Sequence, residues 1–165
     1  MADDLLNFDN LRAVLEEYGK AVAQQYKDNL RRDGRPASGD LERSIRTHVS
    51  VDGRDFVVQM DLNAYWKYIE YGTKGQLTGN PSRKFPPPGV IFDWISIKPN
   101  FPRPATIPEQ KSLAYLIGRK IRDFGTKGRA DLTEAKMEVT EQWRERISQA
   151  LGHDMEYYIR KVLAQ

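Results

Sequence analysis

The chain has 165 residues, a formal net charge of +3 and no cysteine. That length suits one domain, or one domain with an extension, and allows a core without metal or disulfide support. The missing cysteine excludes a disulfide framework, a zinc–thiolate site and thiol catalysis. The small net charge does not by itself imply a nucleic-acid partner.

Met1-Ala2-Asp3-Asp4 is acidic and lacks an apolar run, so it does not read as a signal peptide. No segment is long and apolar enough to cross a membrane, so a cytoplasm is expected as the place of synthesis. From Asn7 to Arg32, Phe8, Leu11, Leu15, Tyr18, Val22, Tyr26 and Leu30 recur at spacings of three and four. This predicts a long amphipathic helix with Asp9 as its cap. Asp33-Gly34-Arg35-Pro36 ends it, because Pro36 steers Arg35 away from the helical region.

Ser38 then caps a single helical turn through Ser44. From Ile45 the period changes to two, with Ile45, Thr47, Val49 and Val51 on one side and Arg46, His48 and Ser50 on the other. Asp52-Gly53 is a hairpin turn signal, and Phe56, Val58, Met60 and Leu62 line one face of the return strand. The first helix is the expected cover for this hairpin. Tyr65 to Tyr71 reads as a short helix with Tyr65, Ile69 and Gly72 on one stripe and Tyr68 beside them. Gly72 is its stop, since glycine takes the left-handed conformation without steric cost.

Residues 72–89 read as one long loop carrying Lys74, Arg83, Lys84 and Phe85, a sticky arm rather than a passive linker. Val90 to Ile97 is either a buried strand or a short helix, with helix favoured by its place after Pro88-Gly89. Lys98 to Pro104 is broken by prolines and extended. Pro108 opens a helix that buries Leu113, Leu116, Ile117 and Ile121 and stops at Phe124-Gly125. Phe124-Gly125-Thr126-Lys127-Gly128 nearly repeats Tyr71-Gly72-Thr73-Lys74-Gly75. Both follow apolar helices, so neither fits a phosphate-binding loop, which follows a strand. Asp131 and Glu134 have the spacing of a capping box. Beyond them Leu132, Met137, Trp143, Ile147, Leu151, Met155, Ile159 and Val162 mark a terminal helix, with a kink or break expected at Gly152.

Chemistry is sparse. His48 and His153 lie far apart and neither has a helix-borne ligand partner. Glu70 is a single carboxylate with no companion base, and its expected role is a hydrogen bond to a nearby amide or hydroxyl such as Thr73, or a pair with a loop cation. No nucleophile elbow or paired acidic cluster is present. The chain therefore reads as no enzyme, with no cofactor and no metal. Basic residues cluster at Arg31, Arg32 and Arg35, at Lys74, Arg83 and Lys84, and from Arg119 to Arg129. They form either a solvated surface or one facing DNA or an acidic partner.

Two patches carry a resemblance. Tyr65-Trp66-Lys67-Tyr68-Ile69-Glu70-Tyr71-Gly72-Thr73 and the upstream Ser38-Gly39-Asp40-Leu41-Glu42-Arg43-Ser44-Ile45 resemble the signature of the phage tail-completion family, small neck proteins of tailed bacteriophages. The matching positions are Gly39, Leu41, Ser44, Tyr65, Tyr68, Ile69, Glu70, Gly72 and Thr73. The resemblance covers roughly residues 38–75; Pro81-Ser82-Arg83-Lys84-Phe85 is a loose echo of the family's following segment, and the helical sequence before the last helix is an insertion.

The resulting expectation is an α+β fold: a long N-terminal helix packed on a small antiparallel β-sheet, then a helical C-terminal half. Residues 1–130 form the tail-completion-like domain with its central loop 72–89, and residues 131–165 the terminal helix. The resemblance implies a structural virion protein joining the portal or connector to tail-tube or tail proteins. Its copies would form a ring, about six or twelve of them, around the DNA channel. Lys74, Arg83, Lys84 and Phe85 would contact neighbouring subunits or, without sequence preference, genomic DNA. The alternative from another class is a small basic nucleic-acid-binding module.

Overall fold

The computed structural model describes residues 8–32, 39–52, 55–98 and 101–164. The expected cap Ser38, the stop at residues 33–36 and the turn glycine Gly53 lie outside them. The described elements are α1 (Asp9–Arg32), α2 (Asp40–Ser44), β1 (Arg46–Asp52), β2 (Asp55–Asp61), α3 (Trp66–Glu70), β3 (Gly72–Lys74), a 3-10 turn (Gln76–Thr78), α4 (Pro88–Ile97), α5 (Ile107–Phe124), β4 (Gly125–Lys127) and α6 (Asp131–Leu163). The fold is α+β, with two small antiparallel sheets and a helical C-terminal half. The chain divides into two compact units. One holds α1 up to Lys27, β1, β2 and α6 from Thr133; the other holds the last turn of α1, α2, and everything from Leu62 to Leu132.

In the first unit β1 and β2 pair from Arg46↔Asp61 to Asp52↔Asp55. Gly19 of α1 faces this hairpin: a Cβ there would stand 3.0 Å from a Val58 methyl and 3.4 Å from Thr47. The missing side chain lets the helix settle on the side of the hairpin that carries Thr47, Val49 and Val58, as the alternation predicts. The buried face ends short of the tip, where Val51 is exposed.

The opposite partner of α1 is α6. Phe8 packs on Tyr158, Leu11 meets Asp154, Glu17 pairs with Arg146, and Tyr18 contacts Trp143 and Thr140. Rising numbers on one helix meet falling numbers on the other, so the pair is antiparallel. The expected stripe of large residues on α6 is largely not the seam. Ala135, Val139, Ala150, Asp154 and Tyr158 are buried, whereas Met137, Leu151, Met155, Ile159 and Val162 are exposed. The buried positions recur at about one helical turn, so they form one stripe and the larger residues fall on other faces.

Two helix starts also differ from expectation. Asp9 is itself the first residue of α1, and the amides of Asn10 and Leu11 donate to the buried carboxylate of Asp154, at 3.4 and 2.8 Å. Asp131 likewise lies inside α6 rather than ahead of it.

In the second unit α4 and α5 pack around Ile91, Ile95 and Ala114, with Phe92, Trp94, Phe101, Leu113, Ile117 and Ile121 at the margin. Leu116, expected in this core, is half exposed. It follows the buried Ala114 by two positions, which on a helix is a different face. Arg103 closes α4 by donating to the carbonyls of Ile95 and Lys98, each at 3.0 Å. Thr106 and Glu109 form a capping box at the start of α5 that the sequence reading did not anticipate.

Residues 72–89 are not one open loop. They contain β3, the 3-10 turn and the first residues of α4, and Thr78 Oγ1 donates to the Phe124 carbonyl at 3.1 Å. Phe85 stacks on Tyr115, with ring centroids 5.4 Å apart, and lies against Gly118. The segment is thus tied to α5 and its end at Thr78 and Phe85 rather than standing free of it.

The terminal helix runs from Asp131 to Leu163 without the break expected at Gly152. Gly152 is exposed, and a Cβ there would meet nothing within 4 Å. Gly152→Ala should therefore raise stability by about 1 kcal/mol, measured as a shift in the urea midpoint at constant slope.

Candidate functional site

The two sequence patches meet in the second unit. Ser44, at the end of α2, donates its hydroxyl to the Leu41 carbonyl at 2.7 Å and accepts from the Asn63 amide at 3.0 Å. Tyr65, next to Asn63 in this approach, makes a hydrogen bond with the Leu41 backbone. Burial pushes the Tyr65 phenol above its ordinary value, and that hydrogen bond opposes the shift. Gly39 accepts the Arg43 amide on its carbonyl and so begins the turn whose Leu41 side chain is buried. Leu41, Ser44 and Tyr65 are thus joined through backbone and hydroxyl contacts rather than aimed at a cleft.

Helix α3 turns its acid inward, while Tyr68 within it and Tyr71 just past its end face outward. Glu70 is 3 % exposed, whereas Tyr68 and Tyr71 are 62 % and 72 % exposed. Tyr65 and Ile69 are half-buried on their expected stripe, whereas Tyr68 beside them is exposed. Glu70 turns inward because of what its carboxylate reaches. Glu70 Oε2 accepts from the Leu132 amide at 2.9 Å, in the first turn of α6. The same corner uses the end of α3, where the Ile69 and Glu70 carbonyls accept from the amides of Arg129 and Ala130 at 3.0 to 3.1 Å. A helix start offers unpaired amides and a partial positive charge, so a carboxylate is stable there even when buried. The expected hydrogen bond to a nearby amide or hydroxyl is thus made, but to an amide distant in sequence and not to Thr73.

Thr73 belongs to a second linkage. β3 and β4 are the two Gly-Thr-Lys copies, and they pair with each other: Gly72↔Lys127, Thr73↔Thr126, Lys74↔Gly125. The Thr73 and Thr126 hydroxyls are 3.0 Å apart, and the Thr126 amide donates to Thr73 Oγ1 at 3.1 Å. Gly72 and Gly125 have φ of +70° and +78°, where other residues are strained. A Cβ on Gly72 would stand 2.2 Å from the Thr126 carbonyl oxygen, and one on Gly125 1.8 Å from that of Thr73. Each glycine of the motif therefore makes room for the other copy. The near-repeat signalled this partnership, but a repeat alone does not say that its copies pair.

Asp131 is buried beside Arg129, with 3.4 Å between Oδ2 and the guanidinium, and its carbonyl accepts from Asn29. His48 is exposed on β1, near Gln59 and Asp61, and His153 is exposed on α6. Among the described residues no group of three or more His, Asp or Glu side chains could hold a metal ion, and no helix is long and apolar enough to cross a membrane. Of the expected contact residues, Lys74 and Lys84 are exposed, Arg83 is partly covered and Phe85 packs within its own unit. Comparison with protein-family models, with curated proteins and with solved structures finds no match.

Gly125→Ala should lower stability by about 2 kcal/mol or more, through the left-handed backbone and the collision with Thr73. Thermal unfolding checks this; a variant as stable as the parent would show that the strands can separate without cost.

Proposed function

We propose that this chain is a structural subunit of a tailed-bacteriophage virion, a tail-completion or neck protein that forms a ring joining head to tail around the DNA channel. The observation that carries the reading is the meeting of the two resembling patches in one hydrogen-bonded corner, with the signature acid serving as a helix cap. Surface composition supports the same reading. Met137, Leu151, Met155, Ile159 and Val162 on α6, and Tyr68, Tyr71 and Leu77 in the second unit, are all exposed. Apolar residues in such number favour a subunit that buries surface on assembly.

In this reading the partners are further copies of the chain, the portal or connector on one side and tail-tube or tail proteins on the other. The protein is made in the host cytoplasm and ends in the virion. It performs no reaction and needs no cofactor. Quantitative mass spectrometry of purified particles tests it: the expected result is a fixed small-integer ratio to the portal protein, about six or twelve copies per particle. Absence from particles would overturn it.

A further inference from the structure

The charge of this chain is unevenly placed. Residues 62–132 carry twelve Lys and Arg against five Asp and Glu, an excess larger than the +3 of the whole chain. Four of those five acids are already engaged: Glu70 on the Leu132 amide, Glu109 in the capping box, Asp123 with Arg122, and Asp131 with Arg129. Only Asp93 is left to balance the surface cations of this segment. None of Lys74, Arg83, Lys84, Arg119, Lys120 and Lys127 has an acidic partner within ion-pair distance among the described residues.

These six residues gather around one end of α5. Arg119 and Lys120 stand on its last turns, which run directly into β4 and Lys127. Strand pairing brings Lys74 to the same ribbon. Phe85, stacked on Tyr115 and lying against Gly118, draws its neighbours Arg83 and Lys84 to the flank of the helix. The ribbon has a further property. Directly paired residues of antiparallel strands share a face, as the touching threonine hydroxyls do, so Lys74 and Lys127 share the other face, each opposite a glycine. Both lysines are exposed, Lys74 lying along Gly79, so this face of the ribbon presents two cations to solvent. Repeated, equally charged contacts of that kind suit a polymer with a repeating anionic backbone better than a protein, whose acids are irregularly spaced.

We infer that the paired Gly-Thr-Lys ribbon and the end of α5 form a sequence-independent binding surface for the phosphodiester backbone of duplex DNA. The contacts are Lys74, Lys127, Arg119 and Lys120, with Arg83 and Lys84 at the edge. The inference rests on charge and geometry alone and does not depend on the neck reading; a ring subunit could bury this surface elsewhere and still be a ring subunit.

The test is fluorescence anisotropy of the full-length chain with a mixed-sequence duplex oligonucleotide over a series of salt concentrations. The affinity should fall steeply with salt, and a scrambled sequence should bind equally well. Each phosphate contact removed lowers the log–log slope by about 0.9, so Lys74→Ala with Lys127→Ala should reduce it by about 2, and so should Arg119→Ala with Lys120→Ala. Lys136→Ala with Lys161→Ala, exposed lysines of α6, should leave the slope unchanged. All six positions are solvent-facing, and circular dichroism verifies that each variant is folded. No binding at low salt, or an equal slope in every variant, would overturn the inference. Particle stoichiometry is untouched by either outcome, so a failure here is distinct from a failure of the neck reading.

Discussion

A carboxylate almost fully withdrawn from water must be met by donors, and the second unit is arranged around meeting that of Glu70. Its partner is the Leu132 amide at the start of a 33-residue helix. The cap fixes where α6 begins and ties that point to the end of α3. The backbone then strengthens the joint, because Arg129 and Ala130 donate to the last carbonyls of α3. The Gly-Thr-Lys ribbon follows from the same placement: once residues 69–70 and 129–132 are adjacent, the segments beside them run antiparallel and close together. Glycine at positions 72 and 125 is what permits that distance.

The first unit uses the same device in another place. Asp154, deep in α6, caps the first amides of α1 and also accepts from the Asn10 side chain at 2.8 Å. Each cap lies tens of residues or more from the helix it serves. A local N-cap secures a helix whatever its surroundings, whereas a distant cap makes helix formation conditional on tertiary packing. Such caps define orientation as well as stability, since a carboxylate satisfies a helix start only from one direction. The signature residues thus act as joints between elements.

Periodicity made much of the architecture legible. The alternation from Ile45 to Leu62 specified a hairpin and the three-and-four spacing from Phe8 to Leu30 a helix, while Val90 to Ile97 read as either strand or helix, with helix favoured, and is helix α4. Local pattern failed where the deciding partner is remote. Asp9 and Asp131 looked like caps because sequence spacing sees only nearby acids; Asp154 and Glu70 supply the capping carboxylates at Leu11 and Leu132. The large residues of α6 looked like the seam because hydrophobicity marks what could be buried, not which face the partner takes. The residues it buries are instead Ala135, Val139, Ala150, Asp154 and Tyr158. Residues 72–89 looked open because their glycines and prolines punctuate the chain, while the strand pairing that organises them involves a segment some fifty positions away. The basic residues were legible one by one, but their convergence on α5 depends on Phe85 docking and strand pairing.

Glu70 makes the meeting of α3 and α6 an architectural joint. Native-state hydrogen exchange, followed residue by residue in the parent and in Glu70→Gln, tests it most directly. Faster exchange is expected at Leu132 together with Arg129, Ala130 and Thr126, because the cap, the α3 corner and the ribbon open as one unit. A change confined to Leu132, or none at all, would contradict it.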